Sequence, residues 1–204
     1  MQVRAVLIPI IAVCAAPVLA QEGPSFDCAK AQSTAETLVC DTPELAALDR
    51  LVADRYAAAL AVARGLDAGA AEAEAQLKAY QIGWIEGRDE CWKADDPAAC
   101  IAFEYQRREA ELVTQFMLED PSGTTFWTCD GNPANEVVTM YFDTALPSVR
   151  FERGDSIDTG TLSVTASGSR YDGSFGRYIW IKGTDATYRD PDPDGTEVTC
   201  TVSN

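Results

Sequence analysis

The hydrophobic period of this chain changes from three-and-four to two near residue 121, and its cysteines follow the change. Cys28, Cys40, Cys91 and Cys100 lie in the first stretch, and Cys129 and Cys200 bracket the second. A chain patterned in this way needs two different cores, one built from helix faces and one from alternating strands. The expected fold is therefore α+β in two domains, with a small disulfide-stapled helical bundle followed by a small antiparallel β domain.

The cysteines must first be read by compartment. Residues 1–20 open on Arg4, continue through an apolar run, and end on Val18-Leu-Ala20 before Gln21. That is the pattern of a secretory signal with a small residue at the cut, so cleavage is expected near Ala20 and a periplasmic or secreted location follows. The run is too short for a membrane span, and no later stretch reaches the roughly 18 apolar residues that one needs. Cys14 follows Val13, where a lipid-attachment site wants a small residue, and is read as part of the discarded signal. Six cysteines in an exported chain point to a disulfide framework whose connectivity spacing alone leaves open. Pairing in sequential order, Cys28–Cys40, Cys91–Cys100 and Cys129–Cys200, is the simplest arrangement. Zinc is disfavoured because the chain has no histidine and no CxxC.

Within 21–120 the stripes are helical. Thr42 and Pro43 mark an N-cap and first turn, and Leu45, Leu48, Val52, Tyr56 and Leu60 recur behind them. Gly65 and Gly69 bound a break. A second helix from about Ala70 carries Leu77, Tyr80, Trp84 and Ile85, and a third from Asp96-Pro97 carries Ile101, Tyr105, Leu112 and Phe116. A short helical turn is expected over 29–39. Residues 121–125 read as a turn-rich linker. From 126 to 204 strand-like runs at 137–142, 149–152, 161–166, 178–182, 186–188 and 198–202 are separated by Gly, Pro and Asp, as in an antiparallel barrel or sandwich.

Two polar motifs stand out in this second half: Ser167-Gly-Ser-Arg-Tyr171 and Trp180-Ile-Lys-Gly183. With Trp127-Thr-Cys-Asp-Gly131, the strand 137–142 and Cys200, they occur in the order of the MliC-type inhibitors of C-type lysozyme, which residues 126–200 resemble. The resemblance implies an eight-stranded antiparallel barrel whose loop enters the lysozyme cleft. It places the two contacts to the catalytic carboxylates on Ser167 and Lys182, with Gly168, Arg170, Tyr171 and Gly183 around them. Two departures accompany it: a longer turn over 172–176 between the motifs, and no lipid-attachment cysteine. The first half, through Ser25-Phe-Asp-Cys28, Leu38-Val-Cys40, the helix start at Pro43 to Asp49, and Trp84, Arg88, Asp89, Cys91 and Cys100, resembles an LprI-type lysozyme-inhibitor domain over about 25–118. Those same residues also suit core and staple.

Charge agrees with such a partner. Loss of residues 1–20 removes only Arg4, leaving 15 basic against 32 acidic residues and a net charge of −17. That surface repels nucleic acid and attracts basic proteins such as C-type lysozyme. No cofactor is expected. Asp190-Pro-Asp-Pro-Asp-Gly195 copies the start of a calcium loop but has Thr201 at the twelfth position, so it reads as an acidic turn. With no histidine and no nucleophile motif the chain reads as a binding protein, not an enzyme. An envelope-binding or structural module without inhibitory activity is the alternative.

Overall fold

The computed structural model describes residues 23–203; Cys14, Ala20 and the proposed signal lie outside them. Four helices come first: α1 (Thr34–Asp41), α2 (Pro43–Arg64), α3 (Ala70–Asp89) and α4 (Pro97–Phe116). Eight strands follow: β1 (Gly123–Cys129), β2 (Glu136–Phe142), β3 (Ser148–Arg153), β4 (Ser156–Ser163), β5 (Ser169–Asp172), β6 (Tyr178–Lys182), β7 (Asp185–Arg189) and β8 (Glu197–Val202). They form a closed antiparallel barrel in sequence order, with disulfides in both regions.

Local chemistry sets the helix starts. Ser33 and Glu36 make a reciprocal capping box on α1, and Asp96 accepts a bond from the Ala99 amide ahead of Pro97. Thr42 stands at the N-cap of α2, but its side chain makes no capping bond; Pro43 in the first turn is the stronger device there. The helical core holds Leu45, Val52, Leu77, Trp84, Ile101, Tyr105 and Leu112. On α3 the buried stripe is narrower than the periodicity suggests. Leu77, Trp84 and Arg88 are buried, whereas Tyr80 and Ile85 are 54% and 38% exposed.

Trp84, Arg88 and Asp89 belong to an internal network. Tyr105 donates its hydroxyl to Asp49 at 2.8 Å and accepts from Arg88 at 2.8 Å, while Arg88 also reaches Asp89 at 2.7 Å. The Trp84 and Tyr105 rings meet edge-on at 5.2 Å. Burial holds the Tyr105 phenol well above its usual range, so it stays a neutral donor between the two charges. Cys28–Cys40 and Cys91–Cys100 are joined beside this core.

The barrel interior is filled by Trp127, Val137, Val149, Phe151, Ile179 and Tyr188, with Cys129 and Cys200 bonded across the β1–β8 seam. Gly160 makes room for a large ring: a Cβ there would stand 2.4 Å from Phe151. Two boundaries differ from the pattern. β1 begins at Gly123, inside the stretch read as a linker, and of the run at 161–166 only 161–163 are strand, the end of one that starts at Ser156, while 164–166 enter a loop.

α4 lies across β2, β3 and β4 on the outside of the barrel. Arg150, 9% exposed, donates to the carbonyls of Thr114 and Gln115 at 3.1 and 2.9 Å, closing the C-terminal turn of α4. Thr114 and Thr159 share a hydroxyl bond of 2.5 Å, and Glu109 accepts the Ala145 amide at 3.0 Å. The helices therefore cover one side of the barrel, and β6 and β7 lie on the opposite side.

Candidate functional site

β5 and β6 pair antiparallel, with Ser169 opposite Ile181 and Arg170 opposite Trp180. That register brings the loop at 164–168 and the two-residue turn Gly183-Thr184 to the same end of the barrel. Ser167, Gly168, Lys182 and Gly183 are all exposed there. The longer turn over 172–176 sits at the far end of the same hairpin, so its extra length leaves the pairing of the two motifs unchanged.

Strand alternation decides the remaining site residues. On β6, Tyr178, Trp180 and Lys182 face outward and Ile179 and Ile181 inward. On β5, Arg170 faces outward and Tyr171 inward. Tyr171 packs against the Tyr141 ring at 5.8 Å, next to the barrel core, and burial first, then Tyr141 and Asp143, push its phenol up. Arg170 lies 3.9 Å over the Tyr178 ring and bonds Asp172 at 2.8 Å, which also accepts from Ser163. Its charge is thus engaged along the wall and aimed away from the loop end. Ser167, Gly168, Lys182 and Gly183 are brought together; Arg170 and Tyr171 form the wall beneath them.

Lys182 has a distinctive setting. It makes no ion pair among the described residues, although Asp185 is its register partner. Its ammonium lies 3.7 Å over the Trp180 ring. The same indole donates from Nε1 to the Ser167 carbonyl at 2.9 Å. Thr165 donates to the Gly168 carbonyl at 3.0 Å, curling the loop on itself. Trp180 and Thr165 are therefore parts of the site that the motifs alone leave without a role. For Trp180 the signal is its place two residues before Lys182, which puts both on one strand face.

Gly168 is required twice over. Its φ of +72° favours glycine, and a Cβ would stand 2.3 Å from the Ile181 carbonyl oxygen. Gly183 has φ +68° but open space around it. Gly183→Ala is therefore expected to cost about 1 kcal/mol, the conformational share alone. Gly168→Ala should cost at least ~2 kcal/mol, because backbone must also move. Chemical denaturation of both variants checks the difference, and equal losses would mean that the close approach to Ile181 is relaxed.

The site projects from the barrel instead of forming a deep pocket. A shallow recess of about 400 Å³ runs beside it along Trp180, Lys182, Asp185, Thr187, Thr199 and Thr201. A larger cavity, about 1030 Å³, is elsewhere, between the helices and the barrel, lined in part by Tyr80, Ile157 and Phe175. No group of metal-ligating side chains occurs among the described residues. In the turn that resembles a calcium loop, Arg189 bonds Asp192 at 2.7 Å and the Gly176 carbonyl at 2.8 Å, so the acidic turn is wrapped around the chain's own cation. Among the described residues no helix is long and apolar enough to cross a membrane.

Residues 127–197 match a family described as membrane-bound lysozyme-inhibitor of c-type lysozyme (MliC). The match spans β1 from Trp127 to the start of β8 and contains the whole loop end with Ser167, Gly168, Lys182 and Gly183. The helical region lies outside it. No curated protein matches the chain.

Proposed function

We propose that this protein inhibits c-type lysozyme by placing the barrel end with Ser167 and Lys182 in the enzyme's active-site cleft. The observation that carries the reading is the meeting of Ser167, Gly168 and a Lys182 without an ion pair among the described residues at one exposed end of the barrel, within the segment that matches the inhibitor family. The chemistry is complementary. A c-type lysozyme holds one catalytic carboxyl protonated and one ionised. The Lys182 ammonium suits the ionised group through a charge-assisted bond in a partly dry cleft. A Ser hydroxyl both donates and accepts, so Ser167 suits a carboxyl whose protonation varies. The net charge of −17 left after loss of residues 1–20, with 15 basic against 32 acidic residues, draws in a basic enzyme from a distance.

The helical region supports the barrel in this reading. Its LprI-like residues Trp84, Arg88, Asp89, Cys91 and Cys100 lie in or beside the core, and α4 leaves the β6–β7 side open for a partner. Export, cleavage near Ala20 and a free periplasmic or secreted form remain part of the proposal. Lysis of cell-wall substrate by c-type lysozyme, measured with increasing mature protein, tests it. Inhibition should saturate near one inhibitor per enzyme. Undiminished lysis at molar excess would leave the envelope-binding or structural alternative, and turnover of the substrate by the protein alone would make it a hydrolase.

A further inference from the structure

We infer that Trp180 is the positioning residue of this site, the side chain that locks two separate loops into one preformed binding element. The inference deepens the inhibitor reading and rests on it for its affinity measurement. One indole makes both contacts: Nε1 donates to the Ser167 carbonyl at 2.9 Å, and the ring lies 3.7 Å beneath the Lys182 ammonium. The backbone ladder between the two segments ends at Ser169 opposite Ile181. Beyond it, the Thr165 hydroxyl bonds within its own loop, to Ser167 and Gly168. Trp180 is the side chain that ties this loop to the strand carrying Lys182.

The kind of contact matters as much as its place. A lysine on a strand end has a long stem with much rotamer freedom to lose on binding. A carboxylate partner would order it but neutralise its charge. An aromatic face orders it by cation–π attraction and leaves the ammonium unpaired, available to an incoming carboxylate. Fixing the Ser167 carbonyl likewise fixes the backbone that presents the hydroxyl. Both effects lower the ordering cost of association without adding any contact to the partner.

The test separates the two arms with two variants of the full mature chain. Trp180→Phe keeps a ring under Lys182 and removes the N–H; Trp180→Leu removes both. In the free protein, Trp180→Phe should speed amide exchange across 165–168 while leaving the ring-shifted Lys182 ε-methylene resonance upfield. Trp180→Leu should speed the exchange and also move that resonance to its ordinary position. Dissociation from c-type lysozyme should quicken about 5-fold for Trp180→Phe and about 20-fold for Trp180→Leu. If the leucine variant fails to fold, the phenylalanine variant still decides the hydrogen-bond arm. Wild-type binding with unchanged dissociation and loop exchange in Trp180→Phe overturns the inference. If the wild type does not bind lysozyme, the inhibitor reading fails instead. The free-protein signals then judge Trp180 alone, with unchanged exchange and Lys182 resonance counting against it.

Discussion

Replacing Lys182 by alanine should raise the rate of dissociation from c-type lysozyme by at least ~30-fold. Removing one member of a buried, hydrogen-bonded charge pair costs ~2–5 kcal/mol, part of it from leaving the other charge unpaired, and each 1.4 kcal/mol is tenfold. The premise is that the Lys182 ammonium has no carboxylate of its own. It makes no ion pair among the described residues, so binding breaks no ion pair to satisfy the enzyme. A charge left at the rim of an interface behaves differently: its loss slows association, and the effect fades with salt. Dissociation rates of wild type, Lys182→Ala and Ser167→Ala at two salt concentrations therefore discriminate. Ser167→Ala should cost about 1–2 kcal/mol, as one hydrogen bond to a carboxyl. An unchanged dissociation rate for Lys182→Ala would remove that residue from the cleft.

How much of the fold is legible in the sequence depends on the range of the interaction involved. The stripes Leu45–Val52 and Ile101–Leu112 and the alternation at 137–142 report local burial, and the structure buries them. β5 is not legible as a strand, because Ser-Arg-Tyr-Asp has no alternating β-branched pattern; it is extended because β4 and β6 flank it. The start of β4 is hidden for a similar reason. Ser156, Asp158 and Gly160 read as turn residues, yet Gly160 is where Phe151 needs space. The contact between helices and barrel is the least visible. Arg150, Glu109 and Thr114 look like solvent-facing residues in sequence, and only the tertiary fold shows them buried, with Arg150 donating to the Thr114 carbonyl, Glu109 accepting the Ala145 amide and Thr114 meeting the Thr159 hydroxyl.

The candidate site divides along the same line. The motifs hold Ser167 and Lys182, and the hairpin register brings them to one end. Parity then sorts the rest: an odd–even step along β5 turns Tyr171 into the barrel and leaves Arg170 on the wall, a distinction that a contiguous motif does not make until its strand is assigned.

Removing the Cys129–Cys200 bond should destabilise the protein more than removing either helical staple. The two residues face one another on β1 and β8, the pair that closes the barrel, and they are 0% and 2% exposed. The bond spans 71 residues, against 12 and 9 for the helical staples, and the chain-entropy model makes longer loops more stabilising. It assigns about 4 kcal/mol to this bond and about 3 kcal/mol to each of the short ones. A barrel of roughly 80 residues has a total stability of only about 4–12 kcal/mol, so the loss is a large fraction of the whole. The double variant Cys129→Ala with Cys200→Ala also leaves sulfur-sized gaps beside Trp127 and Val137, which adds to the cost. Denaturant unfolding followed by tryptophan fluorescence should thus show the barrel transition moved far to lower denaturant. Transitions of the helical region should shift less, through the Arg150 contacts to α4. A barrel transition that stays in place after both substitutions would mean that the β1–β8 ladder closes the sheet unaided.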